Sequence, residues 1–303
     1  MKPIPLKNGD TITIAAPAGP FDRGRFLRGV SLLKKAGFRV TYGRDIFSKK
    51  GASPKGDSPK GYLAGDDARR ARELNRALAD PKAGALLFAR GGYGCQRILP
   101  ILRNRCSPKV VVGSSDLTVL LIYLWKRFRM RSYYGPMVAP HLILPKNVER
   151  LRQALTDPLF HENQKLVARK VLRPGRASGR LVGGCLSLLI STLGTPWEID
   201  TDGALLFLED THEEAYAVDR MLTQLEQAGK LKKVRGIVLG TFRQKKILFP
   251  ASVEAVFREK FKRFRGSVLW GIRFGHCPDP LLIPFGGEGR IEGKRLILTR
   301  GIF

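Results

Sequence analysis

Lys109-Val110-Val111-Val112-Gly113-Ser114-Ser115-Asp116-Leu117-Thr118 is the stretch that decides the fold. An apolar, β-branched run breaks at a glycine and passes into a helical pattern. Such a run reads as a short buried strand, and the glycine as a tight turn. The geometry lifts one side chain, that of Ser115, above the end of a sheet where a helix begins. A serine there is exposed, and the free backbone N–H groups beside it can stabilise an oxyanion. Downstream the chain offers an acid at Glu209 and a base at His276. The order serine, acid, histidine is one of several that build a hydrolytic triad.

Outward from this stretch, the first half alternates strand and helix signals. Strands are predicted at 10–17, 38–42 and 84–89, with helices at 22–36, 66–78 and, strongly apolar and so buried, at 117–125. This rhythm predicts an α/β fold: an N-terminal parallel-sheet domain with flanking helices. Residues 44–63, rich in Lys, Ser, Gly and Pro, predict an exposed loop. A composition shift near 164–180 predicts the crossover into a smaller mixed α/β C-terminal domain. We therefore expect a domain at 1–163, a linker at 164–175 and a second domain at 176–303. In the second, 183–193 predicts a helix-like run, 205–208 a strand delivering Glu209 and Asp210, 218–228 a helix and 236–240 a buried strand.

The chain has 303 residues, 43% of them hydrophobic, which supports a buried core. No apolar run reaches membrane-helix length and the first residues lack a signal-like apolar region, so no membrane insertion is expected. Cys95, Cys106, Cys185 and Cys277 show no paired spacing of the zinc or thioredoxin type. No metal and no cofactor are expected, and a reducing cytoplasm fits. The net charge of +28 admits two readings, an anionic partner or a solvated basic surface. The basic residues are dispersed and carry no nucleic-acid signature, so no specific nucleic acid is expected as a partner.

The remaining signals each have a structural alternative. Arg90-Gly91-Gly92-Tyr93-Gly94 follows a strand and either brings N–H groups to an anion or is a tight turn. Gly113-Ser114-Ser115-Asp116-Leu117 is half a nucleophile elbow, its second glycine replaced by Leu117; Ser115 or Asp116 could instead cap the next helix. Glu209 competes with Asp210, Glu213 and Glu214 as the acid. His276 is one of four histidines and either projects from its loop or is structural. A cysteine mechanism is the alternative. Cys95 sits at a predicted helix start, which would lower its pKa, and Cys277 adjoins His276.

Taken together these pieces resemble the serine LD-carboxypeptidase family, which includes murein tetrapeptide carboxypeptidases and microcin self-immunity peptidases. The resemblance runs through 14–19, 62–65, 89–94 and 113–116, then 134–137, 183–184, 193–197, 207–210, 218–222 and 274–276. It implies Ser115 as nucleophile, His276 as general base and Glu209 as the residue that orients it. It further implies an oxyanion hole from the amides of Asp116 and of Gly92 in the Gly91-Gly92 turn, and a cleft between the domains as the site. Arg90, with Gly91 and Tyr93, would bind substrate. The implied reaction removes a terminal D-alanine from a murein tetrapeptide during cell-wall recycling, by a homodimer without cofactor. Two alternatives stand beside it: a microcin-type self-immunity peptidase, and a non-enzymatic basic protein that binds polyanions. A long basic loop with an aromatic stacking residue would favour the first, and none is evident. The chain departs from the family's usual residues at Ser114 (commonly aromatic), Tyr134 (usually histidine) and Cys185 (usually asparagine).

Overall fold

The computed structural model describes residues 3–50, 61–162 and 164–303. The chain divides into two compact units, Met1–Pro158 (with Phe303) and Leu159–Ile302.

In the first unit the strands are β1 (Thr11–Ala15), β2 (Arg39–Tyr42), β3 (Ala83–Phe88), β4 (Val110–Gly113) and β5 (Ser132–Tyr134). They pair in parallel in the order β5-β4-β3-β1-β2. The intervening helices are α1 (Arg23–Lys35), α2 (Asp67–Ala79), α3 (Cys95–Ile98), α4 (Thr118–Phe128), α5 (Val138–His141) and α6 (Pro145–Thr156). Val110, Val111 and Val112 have no exposed surface, as a central strand covered on both faces requires. Each such side chain is worth about 1.5–3 kcal/mol of burial. α1 and α2 start where an aspartate caps them: Asp22 accepts from the Arg25 amide at 2.6 Å and Asp66 from the Arg69 amide at 2.7 Å. α4 buries Val119 through Leu124, as its composition predicts.

α2 departs from its polar appearance. It buries Arg69 and Arg70, and their guanidinium groups fasten two loops. Arg70 donates to the Pro17 carbonyl at 2.5 Å and the Gly94 carbonyl at 2.7 Å, and pairs with Asp67. Arg69 donates to Ala64 O at 2.9 Å, Ala16 O at 3.2 Å and Glu73 at 2.8 Å. The carboxyl ends of β1 and β3 are thus tied to one helix. Of the loop expected at 44–63, residues 51–60 lie outside the described residues; Lys50 bridges Leu63 across the rest.

The second unit holds β6 (Lys165–Val167), β7 (Lys170–Arg173), β8 (Arg176–Cys185), β9 (Leu205–Thr211), β10 (Gly236–Arg243), β11 (Ser267–Trp270), β12 (Ile283–Phe285), β13 (Glu288–Glu292) and β14 (Arg295–Arg300). Its helices are α7 (Leu186–Ser191), α8 (Ala215–Gln227) and α9 (Ala251–Lys260). The sheet order is β6-β14-β13-β8-β9-β10-β11-β7, parallel from β8 to β11 and antiparallel outside. Two expectations are corrected. Residues 164–175, expected as a linker, contribute β6 and β7, the two edges of this sheet; their lysines and arginines suit exposed edges, which masked the strand signal. The helix expected from 183 begins only at Leu186, because Gly183 and Gly184 belong to β8. A β-carbon on Gly183 would fall 1.8 Å from Phe207 O, so this glycine is what lets β8 lie against β9.

The Arg70 network makes a stability prediction. Arg70→Ala takes a donor from Pro17 O and Gly94 O, while Asp67 keeps Arg97 at 2.7 Å, and should cost about 3–5 kcal/mol, the scale of losing two buried hydrogen bonds to a charged group. Urea unfolding checks this; a loss below about 1 kcal/mol would place the loops' support elsewhere.

Candidate active site

β4 ends at Gly113, Ser114 is extended, and Ser115 then turns to φ +62°. A non-glycine residue in this left-handed region carries strain of about 1–3 kcal/mol and persists only where its surroundings over-determine it. Here they do. The Ser115 amide donates to Tyr134 Oη at 3.0 Å, and its carbonyl accepts from Thr118 Oγ1 at 2.6 Å. Tyr134 comes from the neighbouring strand, where it pairs with Gly113. The side chain at this departure from the family pattern therefore holds the backbone of the candidate nucleophile, a role with no local signal.

The glycine loop after β3 packs against Ser115. A β-carbon on Gly91 would lie 2.8 Å from Ser115 Cβ, 2.9 Å from its Oγ and 3.4 Å from the Asp116 amide nitrogen. Only glycine permits that approach. Gly91 O accepts from the Gly19 amide at 3.1 Å, and Gly92 and Gly94 take φ +112° and +132°. Asp116 is buried and its carboxylate accepts from the Cys95 amide at 2.8 Å. Its side chain thus holds the loop, while its own amide nitrogen lies close to the Gly91 turn. Arg90 is exposed and donates to Pro20 O at 2.8 Å; Tyr93 is exposed beside Tyr62, ring centroids 6.0 Å apart.

In the second unit, Glu209 is fully buried near the end of β9. Its Oε2 accepts twice from His276, from the amide at 2.9 Å and from Nδ1 at 2.7 Å. The approach depends on Gly275, at φ +84°, where a β-carbon would fall 2.2 Å from Oε2. Burial pulls the imidazole's pKa down, but the charge and hydrogen bond of Glu209, with Asp210 behind it, outweigh burial and leave it raised. Asp210 points the other way, as alternation along a strand demands. It accepts from the Ser187 amide at 2.7 Å and the Thr211 amide at 2.8 Å, with the Cys185 thiol at 3.4 Å. Burial, then the charge of Glu209, pushes its carboxyl up to about 6. Of the competing acids, Glu209 is the one that meets the histidine; Glu213 and Glu214 lie in the turn before α8.

The cysteine alternative loses its basis. Burial, then the nearby Asp116, pushes the Cys95 thiol far up, against the expected dipole effect. Burial pushes Cys277 up to about 12. The other histidines are accounted for: His141 Nδ1 accepts from the Met137 amide, His161 pairs with Gln164 and is pulled down to about 4 by burial, and exposed His212 meets Thr211. Among the described residues no cluster of three or more His, Cys, Asp or Glu could hold a metal.

Comparison with known proteins gives this arrangement a context. The family model for the LD-carboxypeptidase N-terminal domain matches residues 12–135, and that for the C-terminal domain matches 178–291. The chain is similar to a "probable murein peptide carboxypeptidase" of Bacillus subtilis, 35% identical over 99% of this chain and 95% of the relative. It is also similar to the microcin C7 self-immunity protein MccF of Escherichia coli, 26% identical over 97% and 94%. The crystal structure of muramoyltetrapeptide carboxypeptidase from Oxalobacter formigenes superposes with a TM-score of 0.79 at 29% identity, covering 94% of this chain and 97% of that one.

The Glu209–His276 pair makes a pH prediction. With its folded pKa raised, His276 contributes stability that is present below the unfolded value of about 6.5 and lost as pH rises through the folded one. In an NMR titration the His276 ring should titrate above that value, and Glu209→Gln should bring it down. A ring that titrates identically in both proteins would deny the coupling.

Proposed function

The chain belongs to the LD-carboxypeptidase family, and from that premise we propose that it is a serine enzyme releasing D-alanine from murein tetrapeptides. Ser115 is the nucleophile, His276 the base and Glu209 the group that orients the base. The observation carrying this reading is the 2.7 Å bond between His276 Nδ1 and Glu209. It fixes the tautomer and leaves Nε2 as the ring atom to take a proton.

The chemistry follows from those roles. Ser115 Oγ attacks the carbonyl carbon of the L,D bond as its proton passes to His276 Nε2. The negative charge on the carbonyl oxygen is met by the amides of Asp116 and Gly92. Collapse of the tetrahedral intermediate breaks the C–N bond, and the imidazolium returns its proton to the leaving amine of D-alanine. Water, deprotonated by His276, then cleaves the acyl-serine ester and frees Ser115. The donors of Arg90 not used on Pro20 suit a terminal carboxylate, with Gly91 and Tyr93 beside it. The strained turn at Ser115 and the glycine approach at Gly91 support these roles, because both serve a projecting hydroxyl. We place the reaction in cytoplasmic cell-wall recycling, carried out by a homodimer; among the described residues no helix is long and apolar enough to cross a membrane.

A second reading, self-immunity peptidase activity, is favoured by the likeness to MccF along nearly the whole chain. Incubation with murein tetrapeptide and with an aminoacyl sulfamoyl nucleotide separates the two. Membership of an enzyme family sets aside the non-enzymatic polyanion-binding alternative as an account of the whole protein.

Three variants test the roles on one tetrapeptide substrate, with free D-alanine as the readout. Ser115→Ala should abolish turnover and keep the fold, whereas a thiol-blocking reagent should leave turnover largely unchanged. Glu209→Gln should lower kcat at least roughly a hundredfold, on the scale of lost acid–base catalysis. Asp210→Asn should cost far less. A harmless Glu209→Gln beside an inactive Asp210→Asn would show the wrong carboxylate to have been assigned.

A further inference from the structure

At the amino end of β4, the edge opposite the one that carries Ser115, four arginines converge. Arg72 and Arg76 come from one face of α2, and Arg103 and Arg105 from the loop leading into β4. With Asn75 and Ala79 they line a hollow of about 340 Å³ that has no acidic residue in its wall. Arg72 and Arg76 also border a second hollow where Asp45, Glu73 and Asp80 supply acid; the one they share with Arg103 and Arg105 has none. Among the described residues none of the four guanidinium groups makes a hydrogen bond or ion pair.

Acids offset the charge of Arg72 and Arg76 on the side of the second hollow, and Asp66 attracts Arg72, but no acid lines the hollow they share with Arg103 and Arg105. Arg72 and Arg76 stand at i and i+4, a spacing at which like charges repel. The loop nevertheless is held in place. The Arg103 amide donates to Asn75 Oδ1 at 2.8 Å, and Arg127 reaches Asn104 Oδ1 at 3.1 Å. The Ser107 amide and hydroxyl each bond α2 carbonyls, of Leu78 and Ala79, at 2.9 Å. Behind them the buried Lys109 ammonium caps the end of α2, on Ala77 O at 2.7 Å and Asp80 O at 2.6 Å. The backbone that carries the four arginines is thus anchored around one hollow, and their exposed side chains line it.

We propose that this hollow is a binding site for an oligophosphate, an anion of two or three linked phosphate groups. Guanidinium forks match phosphate oxygens in pairs, and several forks around one hollow suit more than one phosphate. No aromatic residue lines the hollow, so the phosphates are read without a base. The site is separate from the Ser115 turn and does not rest on the reaction proposed for it.

Titration calorimetry of the full chain with inorganic tripolyphosphate, at about 150 mM salt where diffuse charge is screened, tests the proposal. Saturable binding is expected. Arg103→Gln with Arg105→Gln should weaken it at least roughly tenfold, the loss of charge-assisted bonds to two phosphates. Lys294→Gln with Arg295→Gln, which removes equal charge from the β13–β14 hairpin, outside the hollow's lining, should change it by no more than about twofold, as loss of diffuse charge does at this salt. D-alanine release should be the same in both double variants. Adenosine triphosphate should bind as tripolyphosphate does. Absence of saturable binding, or equal weakening in the two double variants, would overturn the site in favour of diffuse charge. Much tighter binding of the nucleotide would overturn recognition by phosphate alone.

Discussion

The absence of a β-carbon at Gly275 is the constraint on which the placement of His276 depends. It allows the chain to bring the His276 amide and ring onto one oxygen of a carboxylate that has no contact with solvent. Any larger residue would occupy the place of Glu209 Oε2. The carboxylate in turn sits on β9 between two parallel strands, so its position is fixed by a ladder and not by a loop. A buried charge held by a positioned donor is costly to disturb and well defined in geometry, which is what the base proposed at His276 would need from Glu209.

The same device recurs in the first unit. Gly91 lies so close to Ser115 that a methyl group would meet its Oγ. The strain of the Ser115 turn is borne by Tyr134 below it and Thr118 beyond it. The glycine loop is held from behind by Arg70 on Gly94 and by Asp116 on the Cys95 amide. Each unit thus sets its candidate site residue at the carboxyl end of a parallel sheet, where α/β folds commonly place chemistry, and braces it with buried charged side chains.

Much of this was legible in the sequence because local patterns and tertiary roles agree there. The apolar run before Ser115, the helical periodicity of α1 and the buried helix after the turn all carry strong periodic signals. The choice of Glu209 over Asp210 followed from the family resemblance and from alternation along a strand; in the structure Glu209 bonds His276, and Asp210 bonds the Ser187 and Thr211 amides. What stayed hidden depends on contacts distant in sequence. Nothing local says that Arg69 and Arg70, on a polar helix, turn inward to fasten loops, or that Tyr134 supports Ser115. The edge strands β6 and β7 looked like a linker because edges carry the charges that linkers also carry. The reactivity expected of Cys95 failed for a similar reason: burial and the Asp116 carboxylate, both invisible in one dimension, outweigh a short helix's dipole.

The central claim is that Ser115 is the nucleophile, and labelling by a fluorophosphonate tests it most directly, since such reagents form a stable bond with a serine that has an active base beside it. Peptide mapping by mass spectrometry should find one equivalent of phosphonyl adduct on Ser115. The adduct should be lost in Ser115→Ala and slowed in Glu209→Gln. Label on another residue, or labelling of the intact protein that is indifferent to Ser115→Ala, would contradict the account.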